Sequence, residues 1–162
     1  MTEEPASGPA AKPSAKLAAG RYGYDALSIG DMIETGSAVI TGQAIDAFAD
    51  LTGDRFEIHM DDAAAQRHGF PGRVAHGLLV LSLVDGLKNQ CAAQFDAIAS
   101  LGWDWSFAKP IFIGDRIGVT ISVTDMRPTS KPHRGILTLK FDVTNQHGDT
   151  VQQGINKLMV YR

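Results

Sequence analysis

The sequence predicts a single α+β domain in which a curved antiparallel sheet wraps around one long buried helix. Residues 77–92 read as a helix whose first half is apolar around nearly its whole circumference, which marks a buried helix and not a surface one. Behind it the period becomes strict alternation. Ile117, Val119, Ile121 and Val123 alternate with Gly118, Thr120, Ser122 and Thr124, and Leu137, Leu139, Phe141 and Val143 alternate with Ile136, Thr138, Lys140, Asp142 and Thr144. That is the pattern of strands with one face on a core. A chain of 162 residues, 44% hydrophobic and 20% charged, suits one globular domain.

Residues 1–20 are rich in Ala, Pro, Ser and Lys and hold no continuous apolar run, so a disordered tail is expected there, ahead of a domain over 21–162. Gly30-Asp31 suggests a turn before a strand over 32–40. Thr41 can cap a helix that places Ile45, Phe48 and Ala49 on one face and stops at Thr52-Gly53. Residues 54–58 read as a connecting loop. Asp61 caps a short helix over 62–67, Gly69 stops it, and Pro71-Gly72 turns the chain. In the long helix the polar residues Asp85, Lys88, Asn89 and Gln90 come late, so its N-terminal end is expected to be the enclosed one. A strand over 99–107 ends at the Lys109-Pro110 bend, and Gly114-Asp115 turns into the alternating strands. Residues 127–134 form an exposed hairpin loop between those strands, 145–149 the next turn, and about 150–161 the last strand. Consecutive antiparallel strands after one buried helix make the hot-dog architecture the economical packing. The open sheet edge this leaves suggests a homodimer, or a higher assembly of dimers.

The formal charge of -3 argues against a nucleic-acid partner, whose phosphates call for many Lys and Arg contacts. With one cysteine, Cys91, no intrachain disulfide and no multi-cysteine zinc site can form. No segment approaches the roughly 18 consecutive apolar residues of a membrane span. A soluble, cytoplasmic protein is expected.

Polar chemistry gathers between Thr52 and Gly77. The run F-A-D-L-T-G-D-R-F-E-I-H-M-D (48–61), then R-V-A-H-G before the buried helix, and L-G-W-D-W-S-F-A-K-P-I-F-I-G-D (101–115) resemble the MaoC-like family of (R)-specific enoyl-CoA hydratases, from about Gly30 onward. The resemblance implies an acyl-CoA thioester substrate, no metal and no cofactor. It implies that Asp54 and His59 hold the water added across a trans-2-enoyl thioester, and that the backbone N–H of Gly77 meets the oxyanion. A carboxylate and an imidazole sharing one water suit the two proton steps, and a helix N-terminus faces negative charge. Asp54 is expected as the principal base and His59 as the principal donor to C2, with the exchange of these roles left open. One departure stands out: Phe56-Glu57 occupies the place of the family's Asn-Pro, so the accepted acyl group is open, and Glu57 is a possible third ionisable group.

Other readings compete. Asp54 and His59 alone could be turn residues, and His76 reads better as a buried histidine shaping the turn than as a functional group. His59, Asp61 and Asp62 fit no structural zinc spacing. Phe56, Glu57, Trp103 and Trp105 are candidate substrate-binding residues; the tryptophans, with Phe107, either line an acyl tunnel or pack the core. Arg127, Lys131, His133 and Arg134 form a solvated tip or touch CoA phosphates. A hot-dog thioesterase and a non-catalytic acyl-CoA-binding module remain the alternative functions.

Overall fold

The computed structural model describes residues 15–162. The order of elements is β1 (Gly20–Tyr22), a 3-10 turn (Tyr24–Ala26), β2 (Met32–Val39), α1 (Gly42–Thr52), α2 (Glu57–Met60), α3 (Asp62–Arg67), α4 (Gly77–Gln90), β3 (Ala93–Phe95), β4 (Ala97–Phe107), β5 (Arg116–Pro128), β6 (Arg134–Thr144) and β7 (Thr150–Tyr161). Five strands make one antiparallel sheet in the order β2-β5-β6-β7-β4, and β1 pairs with β3 in parallel as a separate ribbon.

Alternation does what it promised: Ile117, Val119, Ile121, Leu137, Leu139, Phe141 and Val143 are all buried on the face that meets α4. Burying such a face is the main favourable term in folding. Register shifts in the β2–β5, β5–β6 and β4–β7 pairs act as bulges that bend the sheet around the helix. This is the hot-dog architecture. Capping is equally legible. The Thr41 hydroxyl accepts from the Ala44 N–H, the Asp61 carboxylate accepts from the Ala64 N–H, and Gly53 closes α1 in the left-handed region at φ 78°.

Four expectations need correcting. Of the tail over 1–20, residues 1–14 lie outside the described residues, but Ala15, Lys16, Leu17 and Gly20 are paired. Leu17 N–H donates to the Met32 carbonyl, Met32 N–H to that of Ala15, and Gly20 opens β1. The buried Asp31 carboxylate anchors this crossing by accepting from the N–H groups of Ala15 and Ser28. Second, residues 57 and 58 are helical, as the start of α2. Third, α4 is not enclosed all round, nor most enclosed at its start. Leu79, Val80, Val84 and Leu87 are buried against the sheet, whereas Leu78, at the N-terminal end, is 59% exposed because none of the described residues covers that side. Fourth, the late polar residue Lys88 is buried. Its ammonium donates to Asp85 at 2.6 Å and stands 5.8 Å from the Trp103 ring centroid, so its charge is held by a carboxylate and an aromatic face.

Among the described residues no helix is long and apolar enough to cross a membrane.

Candidate active site

Two segments build the site. The first is the loop after α1 with the short helix α2, carrying Asp54 and His59; the second is the extended stretch Val74–His76 entering α4. The Val74 N–H donates to the Ile58 carbonyl and joins them. Each segment then sends a histidine into the other. His59 Nδ1 lies 2.6 Å from the Val74 carbonyl, and His76 Nε2 lies 2.8 Å from the Asp54 carbonyl. A carbonyl only accepts, so His59 carries a proton on Nδ1 and His76 one on Nε2. The two rings stack at 3.9 Å between centroids and 28° between planes.

The sequence-derived residues therefore meet. Asp54 is exposed, His59 half-buried and His76 2% exposed, and one ligand-type atom from each lies within 4.8 Å of the others. Burial holds the His59 imidazole below the ordinary histidine value, with the Val74 carbonyl pulling the other way. His59 is accordingly neutral near pH 7, with a free lone pair on Nε2. As a metal site the cluster is poorly shaped. Imidazole lone pairs lie in the ring plane, so two nearly parallel stacked rings do not converge on one ion, and two of the four ring nitrogens are committed to carbonyls. It suits a shared water better.

A cavity of about 270 Å³ opens beside His59, lined by Val74, Gly77, Phe107, Ile111 and Gln152 among others. Gly77 is the first residue of α4, where backbone N–H groups lack intrahelical partners. The Phe107 ring lies so close that a Cβ on Gly77 would come within 2.6 Å of a ring carbon, so any side chain there must displace the ring.

Four expected substrate contacts lie off this wall. Glu57 turns to the end of α3, accepting from His68 at 2.7 Å and Arg67 at 3.4 Å, and the His68 bond holds its carboxyl below the ordinary range. It is no third ionisable group in the cavity. Phe56 is 55% exposed and edge-on to His59, 6.1 Å between centroids. Trp103 and Trp105 pack edge-on against each other and against Phe141, which is core packing and not a tunnel wall. The basic hairpin tip is also remote. Arg134 pairs with Tyr161 on β7 and Val143 with Gln152, so the tip and the cavity are separated by roughly 30 Å at about 3.3 Å per strand residue.

Of the three aromatic residues expected on β4 only Phe107 lines the cavity, and sequence reasoning missed Arg73 and Gln152. Arg73 binds the His59 carbonyl through Nε at 2.6 Å, pairs with Asp46 on α1, and takes the Asp62 carboxylate on its own N–H at 2.9 Å, tying three helices together. Its place directly before V-A-H-G was the one available hint.

Comparison with known proteins agrees with this fold. A family model described as a MaoC like domain matches residues 26–145. The (R)-specific enoyl-CoA hydratase of Aeromonas caviae is 36% identical over 102 residues, which is 63% of this chain and 72% of that one. The mitochondrial 3-hydroxyacyl-[acyl-carrier-protein] dehydratase of Arabidopsis thaliana is 27% identical over 66% of this chain, which spans 62% of that protein's length. The crystal structure of a MaoC-like dehydratase from Rhodospirillum rubrum superposes with a TM-score of 0.79 at 28% identity, covering 87% of this chain and 97% of that one.

The contact at Gly77 is directly testable. Gly77→Ala is expected to destabilise the fold by about 1–3 kcal/mol in urea unfolding, because the new methyl must displace the Phe107 ring. In a Phe107→Ala background the same change should be neutral or stabilising by up to about 1 kcal/mol, since alanine is the better helix former. Equal penalties in both backgrounds would show that the ring is not the obstacle.

Proposed function

The chain belongs to the MaoC-like dehydratase family, and from that premise we propose that it interconverts trans-2-enoyl-CoA and (R)-3-hydroxyacyl-CoA thioesters by adding or removing water. The observation that carries this reading is the meeting of Asp54 with a neutral His59 that lines a cavity together with the first residue of α4. The relatives' names support the reaction class.

Of the two role orders the sequence leaves open, the tautomer favours the one in which His59 is the base. With its proton on Nδ1 committed to Val74, His59 offers Nε2 as the base. Asp54 accepts the water's second hydrogen and orients it. His59 takes a proton as the water oxygen bonds to C3, and the electron pair of the C2–C3 double bond moves to the thioester oxygen. The Gly77 N–H at the positive end of the α4 dipole stabilises that enolate. The imidazolium, held against Asp54, returns the proton to C2. One O–H bond and the C2–C3 π bond break, and C3–O and C2–H bonds form. Dehydration runs the same steps backwards. General acid–base groups of this kind contribute about 10²–10⁴-fold each.

The assay is loss of the conjugated enoyl absorbance of crotonyl-CoA and of longer or branched enoyl-CoAs. Wild type should hydrate at least one of them, and Asp54→Asn and His59→Ala should each lose about 10²–10⁴-fold in kcat. Release of free CoA thiol would indicate a thioesterase instead, and acyl-CoA binding without turnover a non-catalytic module.

The pH profile tests the role of His59. If neutral His59 is the base, kcat/KM is flat above the ordinary histidine value of 6.5 and falls as pH drops through the lowered His59 value below it. A rate that instead falls as pH rises through that region would make the protonated imidazole the working form.

We further propose that two copies pair along β4. It is an edge strand of 11 residues, and Leu101 on it, Phe107 at its end and Leu78 nearby are 47%, 57% and 59% exposed. A long edge beside exposed apolar groups invites a second strand. Sedimentation should find a dimer at micromolar concentration, and a stable monomer there would overturn the pairing.

A further inference from the structure

Gln152 is 2% exposed and lies on the wall of the cavity that holds His59 and Gly77, yet none of the proton transfers uses it. A buried amide has to satisfy both its oxygen and its nitrogen. The indole N–H of Trp105 donates to Gln152 Oε1 at 2.9 Å. Because indole nitrogen is a donor only, this bond decides which end of the amide is oxygen. Nε2 therefore points the other way, where it donates to the Gly77 carbonyl at 3.2 Å. Trp105 is itself held. Its ring stands edge-on to Trp103 at 5.5 Å and to Phe141 at 5.7 Å, and it fills the space over Gly154 that a Cβ would need. A continuous chain of contacts thus runs from the sheet through Trp105 and Gln152 to the first residue of α4.

From this chain we infer that Gln152 is a positioning residue for the oxyanion donor. Gly77 is the point where such help is required: glycine has the freest backbone of any residue, and here it follows directly on His76. On one side the peptide carrying the Gly77 N–H is fixed by His76, anchored to the Asp54 carbonyl. On the other side the peptide carrying the Gly77 carbonyl is fixed by Gln152. Pinned from both sides, the N–H keeps one direction towards the cavity, and preorganisation of this kind is what a donor to a developing charge needs. The catalytic part of the inference rests on the hydratase reading; the structural part does not.

The test is a cycle of Gln152→Leu, Trp105→Phe and the double variant. Gln152→Leu should lower kcat about 10–100-fold, the scale of a small misplacement of a reacting group, with KM within about threefold of wild type and an unchanged pH profile. Trp105→Phe should lose a smaller part of kcat, and the double variant should match Gln152→Leu alone, because Trp105 acts through the amide. In ¹⁵N-labelled protein the Gly77 amide resonance should move in both single variants and coincide in Gln152→Leu and the double. Should the leucine variant not fold, Gln152→Met has nearly the same length and shape, adds no titratable group and lacks the donor to Gly77, so it carries the same expectations. Unchanged kcat in a folded variant of active wild type, losses that multiply in the double variant, or an unmoved Gly77 resonance would each overturn the inference. The resonance needs no turnover. If wild type hydrates no enoyl thioester, the hydratase reading falls and the resonance still decides the positioning.

Discussion

The site depends on one reciprocal pair of hydrogen bonds: His59 to the carbonyl of Val74, and His76 to the carbonyl of Asp54. Neither segment is rigid alone. α2 is a single turn of four residues, far below the length at which a helix is stable by itself, and Val74–His76 is extended chain held by a few contacts. Crossing the two histidines fixes both at once and stacks their rings, so the positions of Asp54, His59 and the start of α4 become a single geometric fact. The polar groups involved are partly or fully buried. Losing one partner therefore costs about 1–3 kcal/mol for the orphaned group, well above the net value of an ordinary hydrogen bond.

The same pair shows why Phe56-Glu57 can stand in the place of the family's Asn-Pro. Phe56 is the N-cap of α2 and offers no side-chain cap, and Glu57 is its first residue. Asparagine there would cap the turn and proline would preset its backbone. Here the Asp54 carboxylate accepts from the Phe56 N–H at 3.2 Å, an Asx turn that shapes the loop from the other side. Glu57 places negative charge at the helix start and reaches across to His68 and Arg67 on α3. Local rigidity encoded by proline is replaced by a tie between neighbouring helices. The price is that Asp54 both bends its own loop and faces the water.

What the sequence disclosed follows from the range of the forces concerned. Thr41, Asp61 and Gly53 act within one helical turn, so their capping roles could be read in order along the chain. Ile117 to Val123 and Leu137 to Val143 declare themselves by period alone. α2 and the ribbon of β1 and β3 are too short to carry a period, and the pairing of Leu17 with Met32 rests on a buried Asp31 that looks like an ordinary turn residue. Lys88 reads as solvated until Trp103 and Asp85 are seen around it. Asp54 and His59 were legible through family resemblance. The roles of Arg73 and Gln152 were not, because each is defined by partners on other elements: Asp46 lies 27 residues from Arg73, and Trp105 lies 47 from Gln152. Tautomers lie beyond sequence in the same way: it is the Val74 carbonyl that holds the His59 proton on Nδ1.

Phe107 links the chemistry to the open side of the molecule. Its ring lies against the Cα of Gly77, next to the N–H proposed to meet the enolate oxygen, and lines the same cavity. A hydrogen bond to a developing charge gains strength as the local dielectric falls, from weak in bulk water to several times stronger in a dry site. In one chain Phe107 is 57% exposed and Leu78, the next residue along α4, is 59% exposed. Among the described residues nothing covers this side of Phe107, so this end of the cavity is open to solvent. Covering Phe107 and Leu78 with a second β4 edge would bury their apolar surface and dry the donor in the same step, so on this reading the force that drives assembly also strengthens catalysis.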